Sequence, residues 1–272
     1  ESQAIFNKIL PKSEHTLKIT VPHTPETVPI ATSLHLEKDV LRQRQAIESW
    51  LKLGFTPLSF NATDEIAVLQ EDFPDVNFIA VNRDARDKYN KPYVYVNDVL
   101  NYLDTQHFKI CGIAPADVCL YAKNFYSFIN KESTNSLLYA PRIDITSLEP
   151  YEQPYAGLGC IFLDSKLIAY YPQTDFCIGL PWWDYWAILI PLLHKITIKK
   201  ITNPLAYHIT HPKQCSIETW ISLGTRLQRY TASSFSLSIN TIEDYQQTIV
   251  QFINKLSIDT PLLHPTEYND RE

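Results

Sequence analysis

Glycine is scarce, with six copies in 272 residues, too few for the glycine-rich turns that wrap a phosphate in backbone amides. The G-x-G-x-x-G fingerprint, the G-x-x-x-x-G-K-S/T loop and the G-x-S-x-G elbow are all missing, so dehydrogenase, P-loop and α/β-hydrolase readings lose their main support. Any phosphate bound here would have to be held by metal and side chains. Cysteine is sparse too. Its five copies, Cys111, Cys119, Cys160, Cys177 and Cys215, are odd in number and form no C-x-x-C pair, which indicates neither a disulfide framework nor a zinc knuckle and points to a reducing, cytoplasmic compartment. A basic stripe is lacking as well. The net charge of −6 argues against nucleic acid held through a general phosphate field. The longest apolar stretch, Tyr185 to Leu193, is too short for a membrane span, and ESQAIFNKILPK lacks the basic-then-apolar pattern of a signal peptide.

What is present is an alternation of periodicities. VPIATSL (28 to 34) is short and β-branched, and Leu36, Val40, Ile47, Trp50 and Leu51 after it fall on one helical face. FTPLSF predicts a second strand, Asn61 to Asp72 a helix with Ile66 and Leu69 inward, and VNFIAV a third strand. YVNDVLNYLD predicts a helix capped by Asn97, and FKICGI a buried strand. This β-α-β-α-β-α-β order predicts an α/β fold with a mainly parallel central sheet and helices on both faces, whose ligands bind beyond the carboxyl ends of the strands. Beyond Asp117, GLGCIFL, LIAYYP, KITIKKI and PLAYHITH are strand-like, interrupted by a helix around Asp184 to His194 that Pro191 must kink or stop. This second half is expected to be a smaller mixed α+β lobe. Ser216 and the Thr241 capping box open two final helices. No Pro/Gly/Ser linker separates the halves, so a single domain is expected.

Several residues carry candidate chemistry. The strand ends place Thr32, Ser33 and Asn61 at the ligand-binding edge, with Arg83 and Arg86 in the next loop and Asp117 beyond FKICGI. Guanidinium forks suit a diphosphate, and a strand-end carboxylate suits Mg²⁺ or Mn²⁺ bridging phosphates. Solvated arginines and a helix-cap aspartate are the alternatives. His208 and His211 form H-x-x-H, but on a strand they face opposite sides, so one ion takes at most one of them. In IGLPWWDYW, Asp184 lies among Trp182, Trp183 and Trp186. Aromatic faces stack on sugars while a carboxylate takes their hydroxyls, and burial among rings raises a carboxyl pKa toward values useful to a general base. The alternative is a tryptophan core with Asp184 capping the next helix.

RQRQAIESWLKLGFTPLSFNATDEI, FPDVNFIAV, NKPYVYVNDVL, GIAPADVCL, IGLPWWDYW and AYHITHP together resemble bacterial glycosyltransferase-like proteins of the GT-A (nucleotide-diphospho-sugar transferase) fold. The resemblance implies a nucleotide-binding lobe over about 27–120, an acceptor-binding lobe over about 121–256 and a tail over 257–272. The resemblance fixes no substrate; the reading drawn from the residues is a UDP- or GDP-sugar donor at Thr32, Ser33, Asn61, Arg83 and Asp117, and a glycan or small hydroxyl acceptor at Trp182, Trp183 and Trp186. Asp184 becomes the catalytic acceptor-side carboxylate. Mn²⁺ or Mg²⁺ would be held by Asp117 and by His208 or His211, with Pro115 standing where the family's D-x-D-like motif has its first acid. A metal-dependent hydrolase and a catalytically inactive sugar-binding protein are the rival readings.

Overall fold

The computed structural model describes residues 27–36, 40–145, 152–210, 215–232 and 241–262. The first half follows the expected alternation. Strand β1 (Pro29–Thr32) leads to helix α1 (Val40–Lys52), β2 (Thr56–Asn61), α2 (Thr63–Asp72), β3 (Asn77–Ala80), the single turn α3 (Arg86–Tyr89), α4 (Val96–Thr105) and β4 (Ile110–Ile113). These strands are parallel and adjacent in the order β4-β1-β2-β3, with Ile30 opposite Gly112 and Ala31 opposite both Leu58 and Ile113. Their carboxyl ends therefore lie along one edge.

The second half extends the same sheet instead of forming a separate layer. It comprises β5 (Val118–Leu120), α5 (Phe125–Glu132), β6 (Leu137–Ile145), β7 (Glu152–Asp164), α6 (Trp183–Leu193), β8 (Ile198–Ile201), β9 (Ala206–Ile209), α7 (Ile217–Thr231), α8 (Ile242–Leu256) and β10 (Ile258–Thr260). β7 runs antiparallel between β4 and β6, and the path continues through β8 to β10. β6 forks. One edge lies along β7, while the other pairs in parallel first with β8, at Leu137 to Tyr139, and then with β9, at Arg142 to Ile145. The register against β7 is irregular at Ala140 to Ile143, where the change of partner occurs. β5 closes the branch by pairing antiparallel to β9.

Successive side chains of each strand point to opposite faces, and both faces are covered. Ile30, Leu138, Ala140 and Phe162 join Ala46, Ile47, Trp50, Phe125 and Ile129 of α1 and α5 on one side. Ala31, Leu137, Tyr139 and Ile161 join α4, α6, α7 and α8 on the other. Burial on both sides is what a largely parallel sheet requires.

Some local expectations need correction. Leu36 and Leu51 are exposed, because α1 turns Gln43, Ala46, Ile47 and Trp50 inward. LIAYYP is not a strand. Ser165–Tyr170 is a 3₁₀ helix begun by Asp164, whose carboxylate accepts the Lys166 amide, and its Leu167 and Ile168 bury as a pair. Asn97 is not the cap of α4. Its amide holds a loop, donating to the Pro172 carbonyl and accepting from the Thr174 amide. Pro191 lies in the last turn of α6, which runs two residues past it to Leu193. Ser216 and Thr241 do cap α7 and α8, accepting the amides of Thr219 and Asp244. No helix of the described residues is long and apolar enough to cross a membrane.

Candidate functional site

The carboxyl end of β1 carries two buried hydroxyls, Thr32 at 0% and Ser33 at 2% exposure. Neither Oγ1 of Thr32 nor Oγ of Ser33 has a hydrogen-bond partner among the described residues. An unmade hydrogen bond at a buried hydroxyl costs about 1–3 kcal/mol, so a pair at the ligand edge of the sheet is a feature that a polar ligand would relieve. Asn61, at the end of β2, is different. Its amide donates to the Leu34 carbonyl at 2.7 Å and to Glu65 at 3.1 Å, and accepts from Ser59 at 2.6 Å, while Ser59 in turn accepts the Leu34 amide. The side chain expected to line a nucleotide is committed to fixing the loop after β1. Arg83 is committed elsewhere too. It forms a fork to Asp98 at 2.8 and 2.9 Å and covers the Tyr95 ring at 4.7 Å, and the Asp98 carboxylate raises its pKa further.

Asp117 ends the turn beyond β4, beside β1. Its strand, β5, is pinned to α1, since the Trp50 indole donates to the Val118 carbonyl and the Leu120 amide donates to Ser49. Across β5, the antiparallel register puts Val118 opposite His208, and across β9 the parallel register puts His208 opposite Asp144. His208 is therefore flanked by two carboxylates. Nε2 stands 3.7 Å from Oδ2 of Asp117, and Nδ1 is 3.0 Å from Oδ1 of Asp144. Asp144 is itself held by Arg142, whose Nε is 2.9 Å from Oδ1 and whose Nη2 is 3.4 Å from Oδ2. His211 lies outside the described residues. Among the described residues, no three His, Cys, Asp or Glu side chains form a metal-ligand group.

Asp184 sits in the first turn of α6, where its Oδ1 accepts the Tyr185 amide at 2.9 Å. The residue is only partly covered, yet its carboxyl lies deep among protein atoms. Desolvation raises its pKa, opposed by the Tyr185 amide, the charge of Arg142 and the Leu158 amide. Leu158 is opposite Pro141 in the β6–β7 ladder, so α6 lays Asp184 against the irregular register that carries Arg142. Bulges re-aim side chains. The same Arg142 that pairs with Asp144 thus acts on Asp184 by its charge.

The tryptophans are not an exposed platform. Trp182, Trp183 and Trp186 are 1%, 6% and 0% exposed. Trp182 packs against Tyr245 at 5.9 Å and Trp220 at 5.1 Å, and Trp186 against Tyr171 at 5.0 Å. Their faces are occupied by other rings, which corrects the acceptor-stacking expectation for the two whose contacts are given and leaves little of Trp183 to offer. Arg142 and Asp144, in contrast, were not anticipated. The one signal for them in sequence is the polar alternation in PRIDI after the apolar LLYA, which Pro141 obscures.

Solved structures that resemble the chain include the following two. The 4-diphosphocytidyl-2C-methyl-D-erythritol synthase of Anaerococcus prevotii aligns over 75% of this chain and 97% of its own, at 12% identity and a TM-score of 0.42. Residues 1–349 of S. aureus TarS, in complex with UDP-GlcNAc, align over 84% of this chain and 71% of their own, at 9% identity and a TM-score of 0.48. No family profile matches the chain, and no curated protein does.

Proposed function

We propose that the chain is a GT-A-like glycosyltransferase that moves a sugar from a UDP- or GDP-linked donor to a hydroxyl of a glycan or small acceptor. The observation that carries this reading is the convergence of Asp117, His208 and Asp144 beyond the carboxyl end of β4, with the desolvated Asp184 feeling the charge of the Arg142 that pairs with Asp144. Thr32 and Ser33, whose hydroxyls lack partners among the described residues, would take up polar groups of the nucleotide.

Mg²⁺ or Mn²⁺ would be held by Asp117 and His208. An oxygen and an imidazole nitrogen whose facing atoms are 3.7 Å apart are ligand types such an ion would accept. Such ions commonly use one or two protein ligands and complete their shell with phosphate oxygens and water, so the absence of a third ligand among the described residues suits a substrate-completed site. When bound, the ion would offset the negative charge gathering on the departing diphosphate. Asp184 would accept the acceptor's hydroxyl proton in an inverting transfer, and its raised pKa brings its basicity closer to that task. Arg142 keeps the carboxylate partly ionisable by its charge.

Thermal shift with UDP and GDP, with and without Mn²⁺, tests the donor side. Nucleotide with Mn²⁺ is expected to raise Tm, and Asp117→Asn to abolish that rise while leaving the ligand-free Tm within about 2 °C, because a change at a site edge removes little core packing. A wild-type protein stabilised by neither nucleotide would sink the reading. Stabilisation by free sugar alone would indicate an inactive sugar-binding protein.

A further inference from the structure

We infer that Trp182 is a positioning residue for Asp184: its indole, seated in α7, holds the backbone of residue 182 in a left-handed form that begins α6 with the Asp184 carboxylate turned against β7. The inference rests on the transferase reading only for its kinetic consequence.

Trp182 breaks a local rule. Its φ of 79° and ψ of −17° are those of the third residue of a type II turn, where Pro181 suits the second position and glycine or asparagine the third. A Cβ in that conformation crowds the backbone, and a bulky side chain there is an outlier. Among the described residues, the other non-glycine residues of positive φ are Asn90, His107, Asn124, Asn135 and Lys195, all of them exposed. Trp182 is buried.

A second broken rule answers the first. Gly224 lies inside α7, where glycine weakens a helix relative to alanine. A Cβ there would stand 2.7 and 2.9 Å from Cζ2 and Cε2 of the Trp182 indole, so the missing side chain is the notch that receives the ring. Nε1 of the indole donates to the Trp220 carbonyl at 2.9 Å, and the Tyr245 ring stacks on it with centres 5.9 Å apart. Strained backbone persists only where its surroundings over-determine it. Here notch, carbonyl and ring together fix the side chain.

The helix inherits that direction. The Trp182 carbonyl accepts the Trp186 amide at 3.0 Å, which makes the strained residue the start of the α6 hydrogen-bond ladder. Asp184 follows in the first turn, its carboxylate taking the amide of Tyr185 and, across on β7, that of Leu158. α6 is thus pinned to α7 at Trp182 and to β7 at Asp184. An ordinary cap needs neither. Ser216 and Thr241 begin α7 and α8 with extended backbone and a side-chain oxygen, whereas Trp182 begins α6 with no side-chain cap bond.

The test is amide hydrogen exchange in the full ¹⁵N-labelled chain without substrate. The Leu158 amide is expected to be protected in wild type and about tenfold or more less protected in Asp184→Ala, the scale for losing a bond to a charged acceptor. Gly224→Ala changes neither Trp182 nor Asp184 but presses on the indole from α7. It is expected to reproduce that loss, with the amides of 161–163 in β7, between two neighbouring strands, as the reference for general destabilisation. In sugar transfer the same variant should lower kcat about 10–100-fold and leave the donor KM within about twofold. Trp182→Phe, which keeps a ring but loses the bond to Trp220, should fall between it and wild type on both readings. A Leu158 amide that is unprotected in wild type, indifferent to Asp184→Ala, or as protected as wild type in a folded Gly224→Ala protein would overturn the inference, and so would a lowered Tm with kcat unchanged. If Gly224→Ala does not fold, Trp182→Phe decides on the same readings. A protein that transfers no sugar yet shows these exchange differences would refute the transferase reading alone.

Discussion

Asp184→Asn is expected to lower sugar transfer by about 10² or more, the scale for loss of a general base, while nucleotide binding with Mn²⁺ persists. The substitution keeps the size of the side chain and an oxygen to accept the Tyr185 amide, so the start of α6 should stay in place. Stability separates a base from a structural carboxylate. Burial raises the Asp184 pKa above its unfolded value, so the folded protein holds that proton more tightly. Its contribution to folding is fully present below the unfolded pKa, near about 3.9, and is lost as pH rises through the folded pKa. At neutral pH the asparagine variant should therefore be at least as stable as wild type, and wild type should gain on it toward acid. The kcat of wild type should fall on the acid side with an apparent pKa above the ordinary aspartate range, and that limb should vanish from any residual activity of the variant. An asparagine variant with wild-type kcat would remove Asp184 from the chemistry.

Gly159→Ala is expected to destabilise the protein by about 3 kcal/mol, the upper end for overpacking a filled interior. At about 2–4 °C per kcal/mol for a chain of this order, the drop in Tm is roughly 6–12 °C. A Cβ on Gly159 would lie inside van der Waals contact with the Ala206 Cβ, with the Ala140 carbonyl oxygen 3.4 Å and the Arg142 Cα 3.5 Å away. Every one of these neighbours is on β6 or β9, the strands that present Arg142, Asp144 and His208. None is the flexible end of a long side chain. The variant should therefore lose Mn²⁺-dependent nucleotide binding even below its Tm, because the backbone can yield only by separating the strands. Ala206→Gly removes the methyl that is struck, and the double variant should recover at least half of the lost stability. If the double variant is no better than the single one, the close approach of β7 to β9 is not the cause.

The parallel half of the sheet was legible because its strands and helices announce themselves by period: β1, β3 and β4 fall inside the segments read as strands, while β2 and α4 each run one residue past theirs, to Asn61 and Thr105. β6 was not. Its LLYA begins as a buried run, but Pro141 denies a ladder hydrogen bond and argues against an inner strand. The chain accommodates that proline at the register irregularity, where an amide is not required in sequence with its neighbours. Losing β6 meant losing Arg142 and Asp144, which acquire their roles only through pairing with β9. Asp117, His208 and Asp184 stood out as individual residues, but the meeting of Asp117 and His208 with Asp144 is a matter of register, which no local pattern encodes. The tryptophans were misplaced for another reason. Rings that would stack on a sugar and rings that fill a core have the same composition around an acid, and only the packing of α7 and α8 over Trp182 distinguishes them.

The fork in β6 has a consequence for how the site can tolerate change. β8 and β9 run along the same edge of one strand, like a single strand broken by a jog at residues 202–205. From Lys200 to Ala206 that edge advances six residues while β6, from Tyr139 to Arg142, advances three. The separation of His208 from Asp117 and Asp144 is thus set by a count of residues in the jog. Because a strand alternates sides at every step, one residue more or less there, with β9 shifted in register, would turn Tyr207 or Ile209 toward the carboxylates and His208 away, and would also take the small Ala206 from its place against Gly159. The geometry of the candidate site and the packing of β7 against β9 consequently stand or fall together.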